Sequence, residues 1–251
     1  MAGHSKWAQI KRKKAKADAQ RGKVFTRLSR EIIIAARQGG GDAEANPRLK
    51  AAIQRAREAN IPFDNIQRAI QKGTGEISGG NYEEVMYEGY GPGGVALLVR
   101  VTTDNRNRTA SEVRHVFAKY GGSLGEAGCV AWIFQKKGFL LVNKDNSYSG
   151  DDLLLFAVDN GAEDFREGEE DFEITTAPED LARLKAGLEA SGFIVEEAEI
   201  TFSPQNLVPV TGQDGLRVLR LVEKLEELED VEEVFANFDI PPEIMEEATE
   251  R

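Results

Sequence analysis

Apolar residues recur along this chain at two spacings, and the change falls near residue 80. Before it the spacing is helical. Val24, Leu28, Ile32 and Ala35, with Phe25, Ile33 and Ala36 beside them, make a broad apolar face that Gly39-Gly40-Gly41 ends. Asn46-Pro47 supplies a capping residue and a proline at a first helical position, and Leu49, Ala52, Ile53 and Ala56 form a second face. After a break at Asn60-Ile61-Pro62 a third helix carries Phe63, Ile66, Ala69 and Ile70 up to Lys72-Gly73. The glycine- and serine-rich stretch from Thr74 to Asn81 marks a domain boundary.

Beyond it the period shortens to that of strands. Residues 84–90 and 95–103 predict a hairpin turned by Gly91-Pro92-Gly93-Gly94. The next stretch, T-T-D-N-R-N-R at 102–108, holds no apolar side chain and is expected to be an exposed loop. Thr109 with Glu112 three residues on has the capping-box pattern, so a helix is expected to start there. Its apolar face is Val113, Val116, Phe117 and Tyr120, and Gly121-Gly122 stops it. C-V-A-W-I-F at 129–134 predicts another strand.

Residues 138–202 then read strand (139–142), helix (151–160), strand (163–165), strand (171–175), helix (178–190), strand (193–202), the β-α-β-β-α-β order of a ferredoxin-like split unit. A strand at 207–210, a helix at 213–228 and a strand at 231–238 follow, and the acidic stretch 241–251 is expected to fray. That last strand-helix-strand is placed to complete the sheet opened by residues 83–134. The expected fold class is therefore α+β: an N-terminal three-helix domain with a basic arm, followed by two α/β domains of ferredoxin-like type, the third inserted in the second. The boundaries are 1–79, 80–136 plus 204–251, and 137–203.

Charge changes the picture. The 251 residues sum to −11, which on its face argues against nucleic acid. Yet residues 1–79 carry 17 Lys+Arg against 7 Asp+Glu, while 80–251 carry 15 against 36. Such asymmetry points to a basic binding arm on an acidic protein. In that arm Lys6, Lys11, Arg12, Lys13, Lys14 and Lys16 crowd around Trp7, with His4 nearby. Clustered cations meet phosphates and release counterions. Trp7 either stacks on an unpaired base or pins the arm to the helices behind it.

The loop and helix of 102–120 offer a second candidate surface. Arg106 and Arg108 carry guanidinium forks suited to phosphate oxygens beside a helix N-terminus, with Asn105 between strand and helix. Arg114, His115 and Lys119 lie off the apolar face and extend it. The alternative is that Asp104 and Glu112 absorb these arginines in local ion pairs. The carboxylates Glu163, Asp164, Glu167, Glu169, Glu170 and Asp171 read as a solvated loop rather than a metal cage, because no ligand spacing recurs. The single cysteine, Cys129, lies in an apolar run and reads as buried filler rather than a catalytic thiol.

Several strings of this sequence resemble the YebC family: M-A-G-H-S-K-W-A-Q-I-K-R-K-K-A-K-A-D-A-Q-R-G-K-V-F at the start, N-P-R-L at 46–49, N-I-P-F-D-N-I-Q-R-A-I at 60–70, Y-E-G-Y-G-P-G-G at 87–94 and T-T-D-N-R-N-R-T at 102–109. The acidic region after about residue 143 matches in pattern more than in wording. The resemblance implies a three-domain layout. Its bacterial members are described as probable transcriptional regulators, and mitochondrial relatives as translational activators.

The expected function is a nucleic-acid-binding regulator of transcription on DNA. The alternative is a translation factor acting on the ribosome or mRNA, and the acidic domains are candidates for a protein partner. An enzyme is not expected: there is no Walker loop, dinucleotide fingerprint, nucleophile elbow or histidine–carboxylate metal motif. The motifs ask for no cofactor and no metal. No apolar run reaches the roughly 18 residues that span a bilayer. The basic N-terminus has no apolar stretch behind it and Ala2 follows Met1, against a secretory signal or myristoylation, so the cytoplasm is expected.

Overall fold

The computed structural model describes Trp7 and residues 19–78, 81–145, 148–168 and 171–250. By contacts they form two compact units. One is residues 132–206. The other joins the chain before it to 207–251.

The larger unit begins with three helices, α1 (Ala19–Gly39), α2 (Pro47–Glu58) and α3 (Phe63–Thr74). Their buried faces are the expected ones, with Ile32, Leu49, Ala52 and Ala56 at or near zero exposure. The α1–α2 corner is held by one buried side chain. Asn46 accepts at Oδ1 from the Leu49 amide (3.1 Å), capping α2, while its Nδ2 donates to the carbonyls of Ala35 (2.8 Å) and Gly40 (2.9 Å) at the end of α1. α3 presses on α1 at Gly73, where a Cβ would sit 2.5 Å from the Ile33 carbonyl oxygen. Phe63 departs from expectation. It is 62% exposed, because it opens α3 and only Ile66, Ala69 and Gly73 of that helix are buried.

The first sheet holds β1 (Glu83–Tyr90), β2 (Ala96–Thr103) and β3 (Ser123–Leu124), with helix α4 (Arg106–Lys119) between β2 and β3. β1 and β2 pair antiparallel from Glu83↔Thr103 to Tyr90↔Ala96, the expected hairpin. The expected strand at 129–134 is not formed. Glu88 takes the amides of Gly128, Val130 and Ala131 at 2.6–2.8 Å, so they cannot enter a ladder; the segment turns and makes a short 3-10 turn at Ala131–Ile133.

The unit 132–206 contains β4 (Phe134–Asn143), α5 (Gly150–Asp159), β5 (Ala162–Glu167), β6 (Asp171–Thr176), α6 (Leu181–Ala190) and β7 (Val195–Pro204). Its antiparallel strand order is β5-β6-β4-β7, which is the split arrangement expected of β-α-β-β-α-β. Leu140, Val142, Leu153, Ile174, Leu184 and Leu188 make its core. Three of the carboxylates considered as a metal cage are paired one by one: Glu163 with Lys137 (2.6 Å), Asp164 with Arg166 (2.8 Å) and Glu167 with Lys144 (2.6 Å). Glu169 and Glu170 lie outside the described residues.

The chain then returns to the larger unit as β8 (Val208–Pro209), α7 (Gly212–Glu227), β9 (Val231–Ala236), β10 (Phe238–Asp239) and α8 (Pro242–Glu250). β9 pairs with β2 and completes the order β3-β1-β2-β9, while β8 and β10 form a separate parallel pair. Phe117, Leu97, Val99, Val218, Leu219 and Val222 fill the core under this sheet. Residues 242–250 do not fray as expected. They form α8, whose Met245 is fully buried with Ile244 and Ala248 packed on the same core.

Candidate nucleic-acid interface

The expected polar loop after β2 is two residues long, Asp104 and Asn105. α4 starts at Arg106, three residues before the expected cap, and Asn105 caps it by accepting from the Arg108 amide at 3.1 Å. Thr109 is a fully buried helix residue instead. Its hydroxyl, with those of Thr103 and the Arg108 guanidinium, is drawn to one carboxylate, Asp230, which is 2% exposed and ends the connection from α7 to β9.

Asp230 Oδ2 accepts from Thr109 Oγ1 (2.6 Å), Arg108 Nη2 (2.7 Å) and Thr103 Oγ1 (3.0 Å). Oδ1 accepts from Arg30 Nη1 of α1 at 3.2 Å, and the Asp230 carbonyl accepts from the Thr102 amide at 2.9 Å. Burial alone would raise the Asp230 pKa. The hydrogen bonds from Thr109, Arg108 and Thr103 and the Arg108 charge outweigh it and hold the carboxyl below the usual range. The same contact, first of all the Asp230 hydrogen bond, raises the Arg108 pKa further. Arg108 also pairs with Asp104 at 3.1 Å. The ion-pair alternative therefore describes Arg108, with Asp230 in the place given to Glu112.

The rest of α4 behaves differently. Arg106, Arg114, His115 and Lys119 are exposed, and none of them forms an ion pair among the described residues. The Arg106 carbonyl accepts from the Tyr87 hydroxyl at 3.1 Å, which fixes its backbone while leaving its guanidinium outside. Four of the expected cations thus stand exposed on one helix without an ion pair among the described residues, while Arg108, itself exposed, is tied to the buried Asp230.

His4, Lys6, Lys11, Arg12, Lys13, Lys14 and Lys16 lie outside the described residues. Trp7 is described. It is 4% exposed within the core cluster of the first sheet, and a ring so covered offers no face to a base. It packs in the core of the sheet and not among the helices behind the arm, to which the second of the two roles considered would have pinned it. Several cations of the helical segment are also spoken for. Arg30 bonds Glu229 and Asp230, Arg48 pairs with Glu84, Arg55 with Glu31 and Lys50 with Glu44, and Arg27 donates to the Glu232 carbonyl at 2.9 Å.

Sequence reasoning missed Arg30, Glu88 and Asp230. Asp230 is one acid in the run E-E-L-E-D-V-E-E, and nothing in that run singles it out. Glu88 carried a faint signal, since it is an acid set between Tyr87 and Gly89 in an expected strand. Burial would raise its pKa, but the amides of Gly128, Val130 and Ala131 win and lower it. Tyr90 adds a bond from its hydroxyl to the Cys129 carbonyl at 3.1 Å. Cys129 itself is half-buried rather than buried; desolvation, then Glu88, pushes its thiol pKa up, which keeps it protonated.

Two family models account for this architecture. One, described as the TACO1/YebC protein N-terminal domain, matches residues 5–76, and the other, the TACO1/YebC second and third domain, matches 82–238. The chain belongs to the TACO1/YebC family. Among similar relatives in this family, one from Pelotomaculum thermopropionicum is 60% identical over 241 residues, 96% of this chain and 99% of the relative. One from Thermotoga maritima is 52% identical over 251 residues, 100% of this chain and 99% of the relative. Both are named "Probable transcriptional regulatory protein". The crystal structure of a conserved hypothetical protein from Aquifex aeolicus superposes with a TM-score of 0.83 at 52% identity, covering 90% of this chain and 93% of that one. Among the described residues no helix is long and apolar enough to cross a membrane.

Proposed function

We propose that this TACO1/YebC protein is a cytoplasmic, non-enzymatic regulator of transcription that binds DNA through phosphate contacts. The observation that carries the reading is the surface of α4, where Arg106, Arg114, His115 and Lys119 stand exposed with no carboxylate among the described residues claiming them. Guanidinium and ammonium groups so placed meet a polyanion without first breaking an internal pair. The N-terminal cations His4, Lys6, Lys11, Arg12, Lys13, Lys14 and Lys16 supply a second, sequence-tolerant grip, tethered at Trp7. In this reading 1–79 is the binding domain, 80–136 plus 204–251 carries the α4 contact, and 137–203 is held away from phosphate by its own charge.

Filter binding of the full chain to duplex DNA and to structured RNA over a salt series tests this. The expected result is a steep salt dependence on duplex DNA whose log–log slope falls by about 0.9 for each phosphate contact removed. A slope left unchanged by removing residues 1–16 and by Arg114→Ala with Lys119→Ala would overturn it. Preference for structured RNA at equal salt would transfer the reading to a translation factor.

A further inference from the structure

We propose that the outer face of α5 is a docking surface for a lysine- and arginine-rich amphipathic helix of another protein. The inference is independent of the nucleic-acid reading. It begins in the sequence of α5, G-D-D-L-L-L-F-A-V-D, with six consecutive apolar residues at 153–158. A helix that covers one face of a sheet needs an apolar stripe about 100° wide, and a run of six continues well around the cylinder. Leu153 and Ala157 are the buried stripe, and Phe156 leans on Phe193 with ring centroids 5.8 Å apart. Leu154, Leu155 and Val158 are left outside, at 36%, 66% and 57% exposure.

Their surroundings say what covers them. On a helix surface the neighbours of a residue are those three and four positions away. For Leu155 these are Asp151, Asp152, Val158 and Asp159. Asp151 and Asp159 form no ion pair among the described residues, and Asp152 accepts from the Ser149 hydroxyl at 2.8 Å at the start of the helix. The apolar knuckle is thus rimmed by carboxylates that want cations. The unit around it repeats the sign, with 6 Lys+Arg against 17 Asp+Glu over 132–206. Phosphates are repelled here, which excludes nucleic acid. A two-fold contact with a second copy would set the same aspartates against each other, a like-charge arrangement that costs affinity. A helix with leucines at three- and four-residue spacing between lysines and arginines answers both the apolar face and its rim.

The test is fluorescence anisotropy of the full chain with two labelled synthetic peptides of equal charge, one a Lys/Arg-rich helix with a leucine stripe and one with those leucines replaced by serine. The leucine peptide is expected to bind at least tenfold more tightly than the serine peptide. Leu155→Ser with Val158→Ser should erase that advantage, and Asp151→Asn with Asp159→Asn should weaken binding severalfold and flatten its salt dependence. Amide shifts on peptide addition should centre on α5. Both apolar positions are exposed, so the double serine variant should melt like the parent; if it melts early, the asparagine pair decides instead. Equal binding of the two peptides, or no effect of the asparagine pair, would overturn the proposal. So would sedimentation showing a dimer that Leu155→Ser with Val158→Ser dissociates, which would give the face to a second copy.

Discussion

The cations of α4 divide into an inner set tied to a buried carboxylate and an outer set left to solvent, and the two do opposite work. On the inner side Arg108 and Thr109 converge with Arg30 and Thr103 on one buried carboxylate. On the outer side Arg106, Arg114, His115 and Lys119 face solvent. Arg106 and Arg108 are both exposed in the first turn of the helix; Arg108 reaches Asp230 (2.7 Å) and Asp104 (3.1 Å), and Arg106 forms no ion pair among the described residues. A count of basic residues overstates the charge a polyanion can meet, because it cannot see which cations the fold has already neutralised.

Removing the inner anchor gives the largest effect. Asp230→Ala takes a buried acceptor from the Thr103 and Thr109 hydroxyls and from Arg30 and Arg108, leaving Arg30 with Glu229 and Arg108 with Asp104, so thermal unfolding should report a loss of about 3–5 kcal/mol. A melt like the parent's would show that the two sides do not differ in this way. Glu88→Gln sharpens the comparison, because that buried carboxylate is held by three amides and pairs with no cation among the described residues. It should cost less, about 1–3 kcal/mol.

Acid should act on both carboxylates in the same direction. Each has a folded pKa below its unfolded value, so each contributes stability that is full above about pH 4, the unfolded range, and lost as pH falls through the folded value. Melting temperature should therefore drop as pH falls from about 5 towards 3, and Asp230→Asn should flatten that dependence while lowering the neutral-pH plateau. Glu232 has the opposite sign. Burial raises its pKa against the pull of Thr102 and Arg100, so its ionisation costs stability as pH rises through the folded value. Glu232→Gln should be nearly neutral or slightly stabilising at pH 7.

The outer side gives effects on binding rather than on melting. Arg114→Ala with Lys119→Ala should reduce the salt slope on duplex DNA by about 1.8 if both contact phosphate. Melting should move by about 0.5 kcal/mol or less per site. The smallest expected change in stability is that of Arg106→Ala, whose backbone keeps its bond from Tyr87; Arg108→Ala beside it should melt visibly earlier in the same calorimetric series. Equal melting temperatures for these two variants would break the distinction between the sides.

Periodicity alone placed the three helices, the hairpin and the split β-α-β-β-α-β unit, because each buries a face whose spacing is set by its own backbone geometry. It failed where a side chain far away in sequence overrides local preference. Thr109 has the chemistry of a cap, but Asp230, 121 positions on, claims its hydroxyl and the helix starts earlier at Asn105. C-V-A-W-I-F has the composition of a strand, but Glu88 takes its amides. The exposure of Arg114, His115 and Lys119 was legible because they lie off an apolar stripe that spacing reveals. The pairing of Arg108 was not, since its partner Asp230 is hidden in an acidic run.

The Asn46 corner also has a chemical lifetime. A carboxylate there could not donate to the Ala35 and Gly40 carbonyls, so deamidation would unfasten the end of α1 from the start of α2. The usual route to that damage closes a ring through the backbone nitrogen of the following residue, which must give up a hydrogen. Here that residue is Pro47, whose nitrogen carries none. The proline that starts the helix thereby also protects the side chain on which the corner depends, and the joint should age more slowly than an exposed asparagine followed by glycine.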